Sequence, residues 1–379
     1  MDAVAYYRSG EAFISRLHSG RIGRYHHAAQ KSMHGLYIAG TALFSWLDNA
    51  RDGKQAGIGS SAGIGSVFRQ EINMLLDINM IMKKIKIFIW ETIFFILKYT
   101  SPRMLASIHY RRSLKKWINW NNPKDLNEKI QWLKFYGDTS KWALCADKYR
   151  VREYVKACGL EHMLVKLYGK WDRVEDIDWN QLPNQFVMKT NHGSGDILIC
   201  KDKSKLNINH WTSLYKKLLN KKFGNNLGEP HYNKISPCII AEELLDCNKQ
   251  QIKTSSLIDY KIWSFDGKPA FVLVCHDRTA EHCGKSIYDL EWNLRPEYLN
   301  SAKITNTKEQ KPIPCPKSFK QMLEAAAILS KGHPQLRVDF YEVDGKPYFG
   351  EMTFTAAAGL NTTYSQELLN ILGDLCKIK

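Results

Sequence analysis

Residues 186–200 read FVMKTNHGSGDILIC: an apolar arm, a tip made of Gly193, Ser194 and Gly195, and a second apolar arm. The pattern predicts two short strands joined by a glycine loop. Lys189 stands on the first arm and His192 just before the tip. Glycines let backbone N–H groups approach a ligand closely, and a strand lysine beside them is a positive point charge. Phosphate is the guest this combination suits.

The text on either side extends the pattern. CIIAEELLD (238–246), DYKIWSFDGKPAFVLVCH (259–276) and LRVDFYEVDGKPYFGEMTF (336–354) read as strands. Asp266-Gly267 and Asp344-Gly345 each sit between apolar arms, the strongest short hairpin signal. Helical stretches near 209–223 and 317–331 separate these strands. Upstream, NPKDLNEKIQWLKFYG predicts a helix opened by Asn122-Pro123 and stopped by Gly137, and residues 141–157 a second one. Strands in hairpins rather than alternating βαβ units give an α+β class with antiparallel sheets.

Bulk properties narrow the partners. The 379 residues allow two to three domains. A hydrophobic share of 44% with 24% charged residues is enough to build a core. The 54 Lys and Arg outnumber 38 Asp and Glu, and the +16 net charge favours anionic partners: phosphorylated ligands, anionic lipid or nucleic acid. No nucleic-acid fold motif accompanies the charge, so no specific nucleic acid is expected. Nine cysteines without a C-x-x-C pair argue against a zinc ribbon or a disulfide framework and suit a reducing, cytoplasmic compartment. No cleavable signal peptide is visible.

The N-terminal third divides differently. Residues 1–66 form an appended helical segment with a basic, histidine-bearing piece, RIGRYHHAAQK, an apolar run over 36–47, and the flexible linker GIGSSAGIGS at 57–66. The adjacent His26-His27 read as solvated surface. Residues 67–118 are basic and amphipathic. Within them MKKIKIFIWETIFFILK (82–98) is too short to span a bilayer, which takes about 20 apolar residues. Its lysine flanks suit a helix lying on anionic lipid; packing into a core is the alternative. Met80 or Met82 would serve as a start, which would leave the preceding residues foreign to the working protein. Residues 119–185 form a helical part, 186–258 a small lobe with the glycine loop, and 259–379 a large lobe.

Two acidic clusters complete the inventory. Arg337 and Asp339 lie two apart on one strand and so share a face, with Glu351 on the returning arm. Two carboxylates side by side repel unless a cation sits between them, and Mg²⁺ held by one or two carboxylates plus substrate phosphates is a common arrangement. A salt-bridged hairpin surface is the plainer reading. The second cluster, Glu242-Glu243 after an apolar strand, reads as a solvated strand end or as a hinge whose backbone reads a base edge. No G-x-x-x-x-G-K-[ST] or G-x-G-x-x-G motif is present.

From about residue 100 onward these pieces, in this order, resemble the ATP-grasp superfamily, and within it the TupA-like branch of bacterial surface-polysaccharide gene sets. The resemblance rests on NPKDLNEKIQWLK, CADKYRVREYV, LPNQFVMKTNHGSGDILICKDKS, IIAEELL, DYKIWSFDGKP, YDLEWN and RVDFYEVDGKPYFGEMTFT. It implies two α+β lobes clamping ATP and Mg²⁺ behind the helical N-terminal extension. It also implies roles. Lys189 contacts the α/β phosphates, with Arg152 and, more weakly, Lys148 beside it. His192, Gly193, Ser194 and Gly195 form the flap. Glu242 and the backbone toward Leu245 receive adenine, and Asp259 the ribose. Arg337 stabilises the transition state, while Asp339, Glu351 and Thr353 hold the metal. Thr353 stands where the superfamily has Asn, and Thr355-Ala356-Ala357-Ala358-Gly359 replaces a proline–glycine–serine loop thought to hold the acceptor; three alanines tolerate helix better than an open turn.

The implied chemistry is ligation. A carboxylate, on a glycan or an amino acid, attacks the γ-phosphate to give an acyl phosphate, and an amine then displaces phosphate. The setting implied is bacterial capsule, O-antigen or similar polysaccharide synthesis, including teichuronopeptide. The implied location is the cytoplasm, with peripheral contact at the inner membrane face. Three rivals stand beside it: a phosphotransferase, a non-catalytic ATP-binding module, and a glycosyltransferase. The last would want an Asp-x-Asp metal motif, and 119–379 is read as lacking one.

Overall fold

Asp147 breaks what the sequence predicts to be one helix over 141–157. Its Oδ1 accepts from the N–H groups of Tyr149 (2.8 Å) and Arg150 (3.1 Å). Such a local side-chain turn competes with the helical ladder. Two short helices result, Trp142–Ala146 and Val151–Ala157. The corner between them carries Lys148, whose N–H donates to the Asn191 carbonyl (3.1 Å) next to the glycine loop. A single straight helix would not deliver this contact.

The structure is a computed structural model and describes residues 61–195, 197–279, 283–300 and 312–378, with side chains from residue 80 onward. The segment RIGRYHHAAQK, the apolar run 36–47 and linker residues 57–60 lie outside the described residues. Helix α1 (Ser61–Thr100) starts inside the predicted linker and runs 40 residues, well beyond the predicted 82–98. It contains Gly63 and Gly65, each costing about 1 kcal/mol relative to Ala in a helix. Among the described residues, those from Ile96 onward form one compact unit and residues 61–95 belong to another. Within α1, Phe88 (68%), Trp90 (45%) and Phe95 (64%) are exposed, so the core-packed alternative does not hold for them.

Helix α2 (Pro102–Leu114) is followed by α3 (Leu126–Tyr136). The cap of α3 is Asp125 rather than Asn122-Pro123: its Oδ1 accepts from Glu128 N–H, and Glu128 reaches back to Lys124 N–H, much as in a capping box. Leu126, Ile130 and Leu133 are buried. After the pair α4 (Trp142–Ala146) and α5 (Val151–Ala157), the first sheet has the order β1-β4-β2-β3. Its strands are β1 (Leu167–Trp171), β2 (Phe186–Thr190), β3 (Ile197–Cys200) and β4 (Ile239–Glu242), all antiparallel. Since β1 comes from the 119–185 part, this sheet begins upstream of residue 186. One face of β2 and β4 (Phe186, Met188, Ile239, Ala241) packs on Trp211, Tyr215 and Leu218 of α6 (Ile208–Leu219). Alternation therefore turns Val187, Lys189, Ile240 and Glu242 to the other face.

The second sheet has the order β7-β6-β5-β8-β9. Its strands are β5 (Asp259–Phe265), β6 (Lys268–His276), β7 (Gly284–Tyr288), β8 (Leu336–Val343) and β9 (Lys346–Thr353), again antiparallel. Both Asp-Gly pairs form the hairpin turns the sequence predicts. All four residues have positive φ: Asp266 46°, Gly267 80°, Asp344 53° and Gly345 69°. Helix α7 (Phe319–Ser330) lays Met322, Ala325, Ala326 and Leu329, each fully buried, across the back of this sheet. Burying Met322 and Leu329 stabilises by about 1.5–3 kcal/mol each. Helix α8 (Gln366–Leu375) closes the chain beside α3.

Candidate active site

Strand register builds the acidic half of the site. Lys261 on β5 is directly opposite Asp339 on β8, and Asp339 is directly opposite Glu351 on β9. Arg337 is opposite Thr353. Because side chains two apart share a face, Asp259 and Lys261, Arg337 and Asp339, and Glu351 and Thr353 form one charged grid. The register shifts between Asp339 and Phe340, where Gly350 makes the bulge. A Cβ on Gly350 would sit 2.9 Å from the Asp339 carbonyl oxygen, so only glycine fits there without movement. Bulges of this kind re-aim a side chain, here that of Glu351.

Arg337 grips Asp339 with both arms of its guanidinium, at 2.7 Å to each carboxylate oxygen. It also reaches Glu351 Oε1 (3.3 Å) and Thr353 Oγ1 (3.1 Å). Lys261 Nζ bridges Asp259 Oδ2 (2.5 Å) and Asp339. Arg278 adds a bond to Asp259 at 3.2 Å. Burial disfavours the charge on Lys261 and on Arg337, yet Asp259 and Asp339 hold Lys261, and Asp339 and Glu351 hold Arg337, above their ordinary pKa values. Burial pushes the Asp339 carboxyl up against the pull of Arg337 and Lys261. For Glu351 burial acts the same way, but Lys148, Lys261 and Arg337 overcome it and bring the carboxyl down to about 2.

The basic half is built where α5 meets the first sheet, around Glu242 of β4. Lys189 Nζ is 2.5 Å from Glu242 Oε2, and Arg152 Nη1 is 3.3 Å from Glu242 Oε1. Arg152 is further oriented by the Val165 carbonyl, at 2.8 Å. Glu242 thus spends its side chain on Lys189 and Arg152, the two cations that the sequence reading assigns to phosphate. Leu245 follows β4 in a half-buried segment.

Lys148 joins the two halves. Its Nζ donates to the Gly193 carbonyl of the flap (2.8 Å) and lies 3.8 Å from Glu351 Oε2. Burial, together with repulsion from Lys189, lowers its pKa, against the pull of Glu351. The residue ranked below Arg152 on sequence is therefore the hub. In the flap, Gly195 has φ 95°, which favours glycine. His192 is buried, with Nδ1 near Asn191 Oδ1 (3.3 Å) and Nε2 near the Lys221 carbonyl (3.2 Å), and burial lowers its pKa. Ser194 sits between the two flap glycines.

Several sequence assignments shift. Asp259, read on sequence as the ribose contact, is joined to the carboxylate grid through Lys261. The alanine loop is neither helix nor open turn: Ala357 (φ 50°), Ala358 (φ 55°) and Gly359 (φ 70°) are successive left-handed residues. Gln131 and Lys134 of α3 hold it from beneath, donating to the Ala358 carbonyl at 2.9 and 3.1 Å. An Asp-x-Asp spacing does occur, at Asp176-Ile177-Asp178. Ile177 is buried, and Asp178 accepts from Asn180 N–H (3.0 Å) and Gln181 Nε2 (2.9 Å), so this is a capped surface turn. Lys261 and Arg278 went unread on sequence, although Asp259-x-Lys261 shows the same two-residue alternation as Arg337-x-Asp339.

The donor set fits a hard cation. Asp339, Glu351 and Thr353 offer oxygen ligands of the kind Mg²⁺ takes. Among the described residues no group of three or more His, Cys, Asp or Glu is placed to hold a metal, so substrate phosphates would have to complete the shell.

The sequence profile described as TupA-like ATPgrasp matches residues 128–377. Solved structures with similar architecture include D-alanine–D-alanine ligase from Bacillus anthracis complexed with ATP. It is 16% identical over 62% of this chain and 65% of its own, with a TM-score of 0.35. An L-amino acid ligase from Bacillus licheniformis is 12% identical over 67% of this chain and 55% of its own, TM-score 0.37. An ATP-grasp ligase, PsnB, complexed with minimal precursor, Mg and ADP, covers 74% of this chain and 72% of its own at 12% identity, TM-score 0.31. The chain spans less than two thirds of the length of each of the first two. No curated protein matches.

Proposed function

Because the chain belongs to the TupA-like ATP-grasp family, we propose that it is an ATP-dependent ligase joining a carboxylate to an amine through an acyl phosphate. The observation that carries this reading is Lys148, which touches both the flap and Glu351 and so ties the cationic sheet to the acidic hairpin. An anionic carboxylate must approach an anionic triphosphate, and the task is charge management rather than covalent catalysis. Lys189 and Arg152 would exchange Glu242 for phosphate oxygens. Lys148 would follow the flap onto the polyphosphate. Arg337 would meet charge developing on the transferred phosphoryl group. Magnesium, when bound to Asp339 and Glu351, would neutralise phosphate oxygens. The carboxylate oxygen bonds to the γ-phosphorus as the bond to ADP breaks; the amine then bonds to the acyl carbon, and phosphate leaves with the amine proton passing to solvent. The closed flap keeps water from the acyl phosphate.

The proposed setting is bacterial cell-surface polysaccharide synthesis, with a carboxylate-bearing glycan or amino acid as acceptor and an amino acid or amino sugar as amine. A peripheral site at the inner membrane face goes with it. Exposed Phe88, Trp90 and Phe95, with Lys83, Lys84 and Lys86 alongside, favour anionic lipid as the occupant of α1. No helix of the described residues is long and apolar enough to cross a membrane.

The test is ADP release from paired uronic acids and amino acids, with Lys189→Ala and Asp339→Asn each lowering turnover by about 10²-fold or more. ATP consumption by the double variant at the parent rate would end this reading. Labelled phosphate retained on the acceptor, with no amide, would favour a phosphotransferase; ATP binding without turnover would favour a non-catalytic module.

A further inference from the structure

The second sheet carries two thiols that the ligase reading does not use. Cys275, near the end of β6, is directly opposite Asp259 on β5 and Lys285 on β7, so it shares their face. Cys283 stands immediately before β7, two residues from Lys285, and alternation turns it to that same face. A regular diagonal pair of this kind is roughly 7–8 Å apart, and a sulfur bridge takes about 4.4–6.8 Å between Cα atoms. The ladder does not stay regular here. Its last pair is His276 with Gly284, and Asp277 then turns left-handed at φ 46°. The His276 ring lies on Gly284: a Cβ there would come within 2.3 Å of it, so β7 starts closer to β6 than a residue with a side chain permits. Cys283 packs against the buried cluster that contains Cys275.

The surroundings give the two thiols different characters. Cys275 is buried and Cys283 half-buried. The Cys275 thiol donates to the Cys283 sulfur. That hydrogen bond, with Arg278 and Lys285, holds Cys283 well below the ordinary thiol range against the effect of burial, while the same bond and burial push Cys275 up. Arg278 is anchored on Asp259 Oδ2 at 3.2 Å and Lys285 on Thr363 Oγ1 at 3.3 Å. The Cys283 sulfur also lies 3.6 Å from the Gly284 carbonyl oxygen. A partly accessible sulfur beside cations, with a second thiol next to it, is the setting of a redox-active cysteine.

We propose that Cys275 and Cys283 are a peroxide-reactive pair that closes to a reversible disulfide beside the charged grid. The Cys283 thiolate attacks one peroxide oxygen, the O–O bond breaks, and hydroxide leaves with Cys283 as the sulfenic acid. Cys275 then attacks the Cys283 sulfur. The S–S bond forms, the S–O bond breaks, and the Cys275 proton leaves with the hydroxyl as water. The sulfurs lose two electrons and the peroxide gains them. A small external thiol reverses the step by exchange. This chemistry goes beyond the ligase reading and does not depend on it.

The test uses the full chain, reduced and then treated with limiting hydrogen peroxide at neutral pH. It is then denatured, alkylated, digested and mapped by mass spectrometry. Exposed Cys315 is the internal control, because burial and Glu342 push its thiol up. Cys275 and Cys283 should appear joined, two hydrogens lighter than the reduced pair, at least about tenfold faster than Cys315 is oxidised. Dithiothreitol should remove the bridge. Cys275→Ser should leave Cys283 as a sulfenic acid that dimedone labels. Oxidation of Cys315 as fast as Cys283 would overturn the proposal. So would a parent chain in which Cys283 is oxidised while Cys275 still takes the alkylating reagent. Both of these results are read on the parent, so neither depends on how the variant folds.

Discussion

Replacing Lys261 with Met is the sharpest probe of the charged grid. Its ammonium bridges Asp259 and Asp339, and its side chain is only 9% exposed. At 2.5 Å from Asp259, the gross attraction at an effective dielectric of roughly 20 is about 7 kcal/mol. Desolvation offsets much of it. Removing one partner of a buried pair nonetheless costs about 3–5 kcal/mol, because the remaining charges lose their compensation. Asp259, Asp339 and Glu351 would then share Arg337, the partly exposed Arg278 and, at Glu351, Lys148. The sign of the pH dependence follows. In the parent, the folded pKa of Lys261 lies above its ordinary value, so its contribution is complete at neutral pH and is lost only in strong alkali. In the variant, a carboxyl that burial already pushes up loses a cation and rises further. The folded state then holds a proton that the unfolded state releases, and stability falls as pH rises. Each pH unit in that window is worth about 1.4 kcal/mol per proton. Urea unfolding across pH 4–8 should show Lys261→Met about 3–5 kcal/mol less stable at neutral pH and closer to the parent in acid. A variant as stable as the parent at neutral pH would refute the grid as a coupled unit.

Two other outcomes are expected. Ala357 is exposed with φ 50°, a conformation that costs L-residues roughly 1–2 kcal/mol, while glycine gives back about 0.4–1 kcal/mol in the unfolded chain. Ala357→Gly should raise the thermal midpoint by about 1–3 °C, and a lowered midpoint would show that the turn is not strained there. For the membrane contact, the full chain should float with phosphatidylglycerol vesicles and much less with phosphatidylcholine, and Phe88→Ser with Trp90→Ser should reduce flotation severalfold, by roughly the loss of two buried aromatic anchors. Equal flotation of parent and variant would remove α1 as the anchor.

The sequence by itself determined the elements whose causes are local. Alternating apolar residues marked the strands, Asp-Gly pairs the two hairpins, and Arg337-x-Asp339 a shared face, because period and turn chemistry act within a few residues. Tertiary structure decided everything that depends on which strand lies beside which. Lys261 joined the site only once β5 paired with β8. Glu351 was aimed by a bulge at Gly350 whose need is the Asp339 carbonyl on another strand. Lys148 became the hub because the Asp147 turn broke a helix and docked its corner on Asn191, 43 residues ahead in the chain. Such charges are placed by backbone hydrogen bonds between distant segments, and no window of sequence contains both partners.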